Sequence, residues 1–253
     1  MRLQNKTAIV TGAASGIGQQ TAVRMAAEGV HVLAIDICKT GLENTQNLAK
    51  KTNLAIDILQ CDVSIEADVQ AVINKAAKLW NRIDILVNIA GIQITKPLQK
   101  TSFADFNQMM AINMGGTFLF CKAVLPYMEK AGSGSIINLA SELAFVGYSD
   151  LAVYTATKGA MISFTRSIAL EAIRHGVRIN CVCPGATDTP IFWEGETDPV
   201  RIQEMLDRVK EEKPIGRLIT TDEVANGIIF MASDEASGVV GTCLVIDGGF
   251  TTA

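Results

Sequence analysis

The sequence lacks a surplus of charge of either sign. Only 19% of its 253 residues are charged, the formal net charge is -4, and lysine and arginine are not clustered. A protein that attracts nucleic acid or anionic lipid through its electric field needs a concentrated basic surface. We therefore expect no nucleic-acid partner and favour a small-molecule ligand.

Long apolar stretches are scarce as well. The longest uncharged stretch, residues 106–121, is interrupted by Asn107, Gln108, Asn113 and two glycines. It is shorter than the ~20 apolar residues that a membrane-spanning helix needs. The N-terminus passes directly into a short apolar run, without the long apolar core of a signal peptide. These features predict no membrane association and a cytoplasmic location.

Paired cysteine motifs are also absent. The six cysteines are Cys38, Cys61, Cys121, Cys181, Cys183 and Cys243. They include no C-x-x-C pair, and the chain has only two histidines, so the spacing of metal ligands is missing. We expect no metal and interpret the cysteines as reduced packing residues, with a redox or zinc role as the minor alternative. Cys181 and Cys183 lie on one predicted strand and are expected to face opposite sides of it.

Seven short β-rich runs alternate with longer amphipathic segments. The runs cover residues 6–12, 30–36, 54–63, 83–91, 134–141, 177–185 and 242–249. They are nearly continuous in Val, Ile, Leu and Ala, which is typical of strands covered on both faces by helices. The chain is 49% apolar, contains no linker and is long enough for one large core. The pattern predicts a single α/β domain over residues 1–253, a Rossmann-type doubly wound fold whose seven-stranded sheet is mainly parallel with helices on both faces.

One segment breaks this rhythm. Residues 187–213 follow the sixth predicted strand and carry Pro190 and Pro199. The segment begins at the edge of the sheet where such folds bind ligands. Its apolar cluster of Ile191, Phe192 and Trp193 is suited to covering a ligand, so we predict a substrate lid. The alternative is a static amphipathic helix on the surface.

A glycine-rich turn follows the first predicted strand. The sequence TGAASGIG occupies residues 11–18 and leads directly into a helical segment. Glycines in such a turn let the backbone approach a pyrophosphate, and the helix N-terminus offers free N–H groups. The spacing is G-x-x-x-G-x-G and not G-x-G-x-x-G, so a plain tight turn is the alternative.

A carboxylate ends the second predicted strand. Asp36 follows Gly18 by 18 residues, close to where an acidic residue meets the adenosine ribose hydroxyls. It would repel the 2′-phosphate of NADP, and neither Ser15 nor Ile37 supplies a compensating cation. Lys39 is the nearest doubtful candidate for that cation. Asp36 therefore favours NAD, unless it only begins a turn.

Three residues indicate acid–base chemistry. Tyr154 and Lys158 are four residues apart in a predicted helix that ends before Gly176, so they share one helix face. A neighbouring ammonium stabilises a phenolate and lowers the tyrosine pKa from its reference value of about 10. Ser141 closes the fifth predicted strand, where its hydroxyl can bind a substrate oxygen. Each residue alone has a simpler explanation, as a core tyrosine, a solvated lysine or a helix cap.

In order and spacing, TGAASGIG, NIAG at residues 88–91, Ser141, Tyr154-x-x-x-Lys158 and Cys183-Pro184-Gly185 resemble the short-chain dehydrogenase/reductase family. The resemblance covers nearly the whole chain. It implies that Ser141, Tyr154 and Lys158 are catalytic, that Asn113 holds a water in a proton relay through Lys158, and that the protein is a homotetramer. The positions that resemble cofactor-binding residues are Gly12, Ser15, Gly16, Ile17, Gly18, Asp36, Asp62, Val63, Asn88, Ala90, Gly91, Tyr154, Lys158, Pro184, Gly185, Thr187 and Thr189.

The resemblance also implies individual roles. Asp62 and Val63 would flank adenine, and Asn88 would support the central sheet. Thr187 and Thr189 would meet the nicotinamide carboxamide. Two departures from the family pattern are Ile89, in place of the usual asparagine, and Glu142, which adds a charge beside Ser141.

Together these features predict an NAD-dependent oxidoreductase that interconverts a secondary alcohol and a ketone by hydride transfer. One alternative is a 3-oxoacyl-[acyl-carrier-protein] reductase, which usually prefers NADP and needs a basic docking face. Another is a non-catalytic dinucleotide-sensing protein, which would not need the catalytic set. The apolar candidates favour a small uncharged or cyclic substrate. The candidate substrate residues are Ile94, Ser141, Glu142, Ala144, Tyr148, Ile191, Phe192, Trp193 and Met205.

Overall fold

The computed structural model describes residues 1–252 of the chain. Seven strands form one sheet in the order β3-β2-β1-β4-β5-β6-β7, and every neighbouring pair is parallel. The strands are β1 (Thr7–Thr11), β2 (His31–Asp36), β3 (Ile56–Gln60), β4 (Ile85–Asn88), β5 (Gly134–Leu139), β6 (Val177–Pro184) and β7 (Cys243–Ile246). The predicted doubly wound fold is confirmed, and its sheet is parallel throughout.

Helices cover both faces of the sheet. Within residues 1–252 the α-helices are α1 (Gly16–Ala27), α2 (Lys39–Lys51), α3 (Glu66–Trp80), α4 (Phe103–Met109), α5 (Gly116–Ala131), α6 (Ala152–Ala172), α7 (Pro190–Trp193), α8 (Pro199–Glu212) and α9 (Thr221–Ala232). Helices α1, α2 and α9 share one hydrophobic cluster with the sheet, and α3, α5 and α6 share the other. On β1, Ala8 and Val10 face the first cluster and Ile9 faces the second. Strands buried on both sides need apolar residues at every position, which explains the continuous runs.

The sixth strand corrects one expectation. Cys181 and Cys183 lie in the same apolar cluster, together with Met161 and Ile162 from α6. They therefore share one face of β6, because side chains two residues apart on a strand point the same way. The expectation that they face opposite sides is wrong. Cys243 on β7 pairs in register with Cys181 and packs against this cluster.

A π-helical turn joins α4 to α5. It spans Met110–Gly115 and contains Asn113. Such turns are rare and occur frequently at functional sites. The helical segment Phe103–Ala131 is long enough to cross a membrane and contains an 18-residue window with a mean hydropathy of 1.3, which is apolar enough to do so. Its residues Phe120, Val124 and Met128 are fully buried in the core, as in the core helix of a globular domain.

The strand order reverses between β1 and β4. From β1 the chain builds outwards through β2 and β3, and it then returns to add β4 on the other side of β1. A reversal of this kind opens a crevice at the carboxyl ends of the strands, where ligands bind in open α/β sheets. Residues 187–213 follow β6 and contain α7 and α8. The amphipathic helix is thus present, whereas movement of the segment as a lid stays a prediction.

Candidate active site

A cavity of about 740 Å³ lies at the carboxyl edge of the sheet and includes the ends of β1 and β4. Most predicted site residues line it. They are Gly12, Ser15, Gly16, Ile17, Asp36, Asp62, Val63, Ala90, Gly91, Ser141, Glu142, Tyr148, Tyr154, Lys158, Pro184, Gly185, Thr187, Thr189, Ile191, Phe192, Trp193 and Met205. The predicted residues outside this lining are Gly18, Asn88, Ile94, Asn113 and Ala144.

At one end of the cavity the glycine turn exposes backbone atoms without covering side chains. Gly12 has a φ of 68°, and a Cβ there would lie 2.9 Å from the backbone nitrogen of Ala90. A Cβ on Gly18 would lie 2.0 Å from the carbonyl oxygen of Gly12, so Gly18 acts through close packing. Ser15 is the N-cap of α1, but its side chain makes no capping hydrogen bond. The first N–H groups of α1 are therefore suited to a pyrophosphate.

Asp36 stands at the end of β2, on the same side of the cavity. One carboxylate oxygen accepts a hydrogen bond from the backbone N–H of Ala14 at 3.1 Å, and the other accepts from Cys38 at 2.9 Å. These bonds hold the carboxylate beside the glycine turn. Lys39, the nearest candidate for a compensating cation, extends into solvent and lies 4.0 Å from Glu43.

Two buried asparagines outside the cavity lining, Asn88 and Asn113, form hydrogen bonds that hold neighbouring elements together. Asn88 donates to the side-chain oxygen of Asn138 at 2.8 Å, which ties β4 to β5 inside the sheet. Asn113 accepts from the backbone N–H of Ile92 at 2.8 Å and donates to its carbonyl at 3.0 Å. It also donates to the hydroxyl of Thr157 at 3.1 Å. The Asn113 side chain thus fixes the loop after β4 against α6.

Ser141, Tyr154 and Lys158 line the same cavity. Burial, with a smaller contribution from the negative charge of Glu142, raises the pKa of Tyr154 to about 12, while the nearby Ser141 hydroxyl lowers that pKa. Burial lowers the pKa of Lys158 to about 8. The Lys158 ammonium donates to the carbonyl of Leu139 at 2.8 Å and lies 5.6 Å from the centre of the Tyr154 ring. The lowering of the tyrosine pKa that the helix spacing predicted is therefore not the net effect of the described side chains.

Helix α7 forms one wall of the cavity. The Phe192 and Trp193 rings meet edge to face at 4.9 Å, and the Trp193 indole donates to Asp188 at 2.8 Å. At the end of α7 the Glu194 carboxylate accepts from the side chain of Gln93 at 3.0 Å and from the hydroxyl of Thr95. Gln93 and Thr95 line the cavity, whereas Ile94 between them does not, so Ile94 is wrong as a lining residue.

Helix α8 adds a second wall that was only partly predicted. Its cavity-lining residues are Met205, Arg208, Val209 and Glu212, of which only Met205 was a candidate. They recur at intervals of three and four residues, so the helical period could have identified this face. The Tyr148 hydroxyl, from the loop before α6, donates to Glu212 at 3.2 Å. This wall is more polar than the sequence suggested.

A buried ion pair lies beside Ser141. The Lys213 ammonium, just after α8, pairs with the carboxylate of Glu142. Their side chains are only 6% and 5% exposed, respectively. The ammonium also lies 3.1 Å from the centre of the Phe250 ring. Glu142 was a substrate candidate, but Lys213 carried no sequence signal, because its partner lies 71 residues away.

Comparison with known proteins decides the family. The family model described as enoyl-(acyl carrier protein) reductase matches residues 12–251. The D-threitol dehydrogenase of Mycolicibacterium smegmatis is 38% identical over 253 residues, with 99% of this chain and 94% of that protein covered. The chain belongs to the short-chain dehydrogenase/reductase family. It is therefore an oxidoreductase that uses a nicotinamide dinucleotide.

Two further comparisons agree. The 3-oxoacyl-[acyl-carrier-protein] reductase of Thermotoga maritima is 36% identical over 250 residues, with 98% of this chain and 99% of that protein covered. The crystal structure of levodione reductase superposes with a TM-score of 0.95 at 33% identity, with both chains covered completely. The fold of this chain is thus the same as that of levodione reductase, and both matches extend over nearly all of the aligned chains.

Proposed function

We propose that the chain is an NAD-dependent dehydrogenase that interconverts a secondary alcohol and a ketone. The observation that carries this proposal is that Ser141, Tyr154 and Lys158 line one cavity together with the glycine turn and Asp36. A cofactor that lies along this cavity from Asp36 would bring its reactive end to Tyr154. A protein that only senses a dinucleotide would not need this set, so the non-catalytic alternative is disfavoured.

The chain's own residues divide the work of the reaction. In oxidation, the Tyr154 phenolate accepts the proton of the alcohol while Ser141 donates a hydrogen bond to the same oxygen. NAD⁺, when bound, supplies the hydride acceptor and a positive charge. Lys158 holds the ribose next to the nicotinamide and contributes its own positive charge to stabilise the phenolate. Reduction reverses both transfers.

The choice of NAD follows from Asp36. Its carboxylate is held by two backbone N–H groups beside the glycine turn, where ribose hydroxyls can donate to it. A 2′-phosphate at the same place would meet a negative charge. Lys39 is turned towards Glu43 and gives little compensation.

The substrate is proposed to be small and either uncharged or cyclic. Acidic residues on the cavity wall, including Glu194, Glu196 and Glu212, disfavour anionic substrates. Phe192 and Trp193 offer apolar contacts, while Gln93, Thr95 and Tyr148 offer hydrogen bonds. The names of the relatives, a threitol dehydrogenase and a levodione reductase, fit this range. A cytoplasmic location and a homotetramer complete the proposal.

A 3-oxoacyl-[acyl-carrier-protein] reductase is the second candidate, because a relative of that name is 36% identical over nearly the full length. Asp36 disfavours NADP, and the acidic cavity wall is unsuited to an acidic carrier. The two candidates differ in both cofactor and substrate, so one set of assays separates them.

The test is a panel of secondary alcohols and ketones, including a tetritol, cyclohexanol and a 3-oxoacyl thioester, each with NAD(H) and NADP(H). Formation or loss of the reduced nicotinamide is followed by its absorbance. We expect turnover of at least one small alcohol with NAD⁺. Efficient reduction of the thioester with NADPH, without alcohol oxidation, would reject the first candidate in favour of the second.

A further inference from the structure

The buried pair of Glu142 and Lys213 connects three parts of the active site. Glu142 directly follows Ser141 and opens a short 3₁₀ turn, Glu142–Ala144, at the end of β5. Lys213 directly follows α8, which carries one wall of the cavity. The same carboxylate lies against Gly185 at the end of β6, because a Cβ on Gly185 would be 2.6 Å from Glu142 Oε2.

The two oxygens of this carboxylate have different surroundings. Lys213 binds Oε1, while Oε2 is buried and accepts no hydrogen bond of ordinary geometry within residues 1–252, although the backbone N–H of Ala186 also lowers the pKa of this carboxyl. A charge in such a buried site is less screened than one in water, so its field acts on nearby groups. Burial raises the pKa of the Glu142 carboxyl. The hydrogen bond and positive charge of Lys213 oppose this rise and favour the ionised carboxylate.

The groups that share this field come from four elements. Lys213 after α8 and Asp247 after β7 act on Glu142. From α6, Tyr154 receives the field of Glu142 and faces Lys158. Cys181 and Cys183 of β6 act on Lys158, and the neighbouring thiol of Cys243, followed by burial, raises the pKa of both cysteines. Within this set, Glu142 is the negative charge that opposes the phenolate form of Tyr154 and Lys213 is its counter-charge.

We propose that Glu142 and Lys213 form a positioning pair that sets the pH range in which Tyr154 exchanges protons with the substrate. This inference rests on the proposed acid–base role of Tyr154. The carboxylate acts through Tyr154 and through the turn that presents Ser141. Lys213 keeps that carboxylate ionised and in place, and so links the charge at the catalytic tyrosine to the end of α8.

The decisive variant is Glu142→Gln, which removes the negative charge and keeps the shape. The rate of alcohol oxidation rises with pH as Tyr154 loses its proton, so its midpoint reports on the phenolate. Without the carboxylate, the phenolate forms more easily, and the midpoint should move to lower pH by ~0.5–1 unit, the order of shift expected from the loss of one nearby charge. A pair that is only structural would reduce the rate and leave the midpoint in place.

Matched variants separate charge from packing. Glu142→Gln/Lys213→Met removes both charges, so its midpoint should lie between those of Glu142→Gln and the wild type. Lys213→Arg keeps the pair and should retain the wild-type midpoint. Glu235→Gln makes the same carboxylate-to-amide change on the exposed surface and should have no effect. Thermal unfolding and binding of NADH verify each fold, and the double variant replaces Glu142→Gln if an unpaired Lys213 prevents folding.

A shared midpoint for all variants, or a movement to higher pH in Glu142→Gln, would overturn the inference. Ultraviolet titration of tyrosinate provides a readout that does not depend on turnover. The chain has only three tyrosines, and Tyr154→Phe identifies the contribution of Tyr154. If the wild type turns over no substrate, the proposed function fails, while the tyrosinate titration still decides whether Glu142 controls Tyr154.

Discussion

At the scale of single residues, the proposed preference for NAD depends on one carboxylate, that of Asp36. Asp36→Ala removes the acceptor for the ribose hydroxyls and the charge that repels a 2′-phosphate. Hydrogen bonds to a charged group contribute about 1.5–3 kcal/mol, so the NAD over NADP preference in kcat/KM should fall by ~10-fold or more. Steady-state kinetics with both cofactors measures this ratio.

The control for this prediction is Asp57→Ala on the exposed side of β3, which changes the net charge equally. It should leave the cofactor preference unchanged. Comparable wild-type efficiency with NAD and NADP would contradict the role given to Asp36.

The acid–base role of Tyr154 is tested by removing its hydroxyl. Tyr154→Phe keeps the ring that packs in the cavity and loses the proton acceptor, so kcat should fall by at least ~10²-fold while cofactor binding persists. Single-turnover absorbance measures the hydride step, and fluorescence quenching measures binding. Tyr127→Phe on α5 is the matched control and should retain full activity. More than about a tenth of the wild-type kcat in Tyr154→Phe would mean that another group moves the proton.

Residue patterns predicted some of these features and missed others for identifiable reasons. The glycine turn, Asp36 and the shared helix face of Tyr154 and Lys158 could be predicted from local spacing, because each group lies at a strand end or within one helix. The catalytic role of Ser141, Tyr154 and Lys158 was implied by the family resemblance and stays a prediction. The ion pair of Glu142 and Lys213 joins two distant segments, so no local pattern reveals it. The rise in the Tyr154 pKa was not predicted. It comes from burial and from the nearby charge of Glu142, and both depend on tertiary packing, about which the four-residue spacing between Tyr154 and Lys158 says nothing.

At the scale of elements, the continuous apolar runs predicted all seven strands, because a parallel strand buried on two sides leaves little freedom in composition. The π-helical turn at Asn113 was not predicted, because no local pattern signals it; the Asn113 side chain there bonds to Ile92 and Thr157, which lie far away in the sequence. The polar wall of α8 could have been recognised from its period. The sequence could not show that Gln93 and Thr95 line the cavity instead of Ile94, because the loop after β4 has no regular period.

The segment from β6 to α8 is the element expected to move. Glu194 connects α7 to the loop after β4 through two side-chain bonds, and both are exposed to water. Such bonds open readily, so amides of residues 187–200 should exchange quickly in the free enzyme. They should become protected with NAD and a substrate analogue, because closure excludes water from the hydride path. Hydrogen exchange with mass spectrometry measures both states.

Helix α9 provides the internal reference for this experiment, because its buried residues should exchange slowly with or without ligand. Strong protection of residues 187–200 already in the free enzyme would show a static wall and reject the lid.

At the scale of the whole molecule, several large apolar side chains remain exposed in the single chain, some of them on α5 and α6. Helix α5 exposes Phe118 at 47% and α6 exposes Leu170 at 70%, and Ile173 directly after α6 is also exposed. Exposed apolar surface of this kind marks interfaces, and burying one large aliphatic side chain contributes about 1.5–3 kcal/mol. The homotetramer that the family resemblance implies would use this surface.

Leu170→Glu tests that assembly. A charge at this position would be buried without a partner in the interface, so the variant should dissociate to dimers or monomers at concentrations where the wild type is a tetramer. Light scattering coupled to size-exclusion chromatography measures the mass directly. Leu48→Glu on α2, also an exposed leucine, is the control and should leave the assembly intact. A monomeric wild type, or a Leu170→Glu variant that stays tetrameric across a dilution series, would show that α5 and α6 do not form the interface.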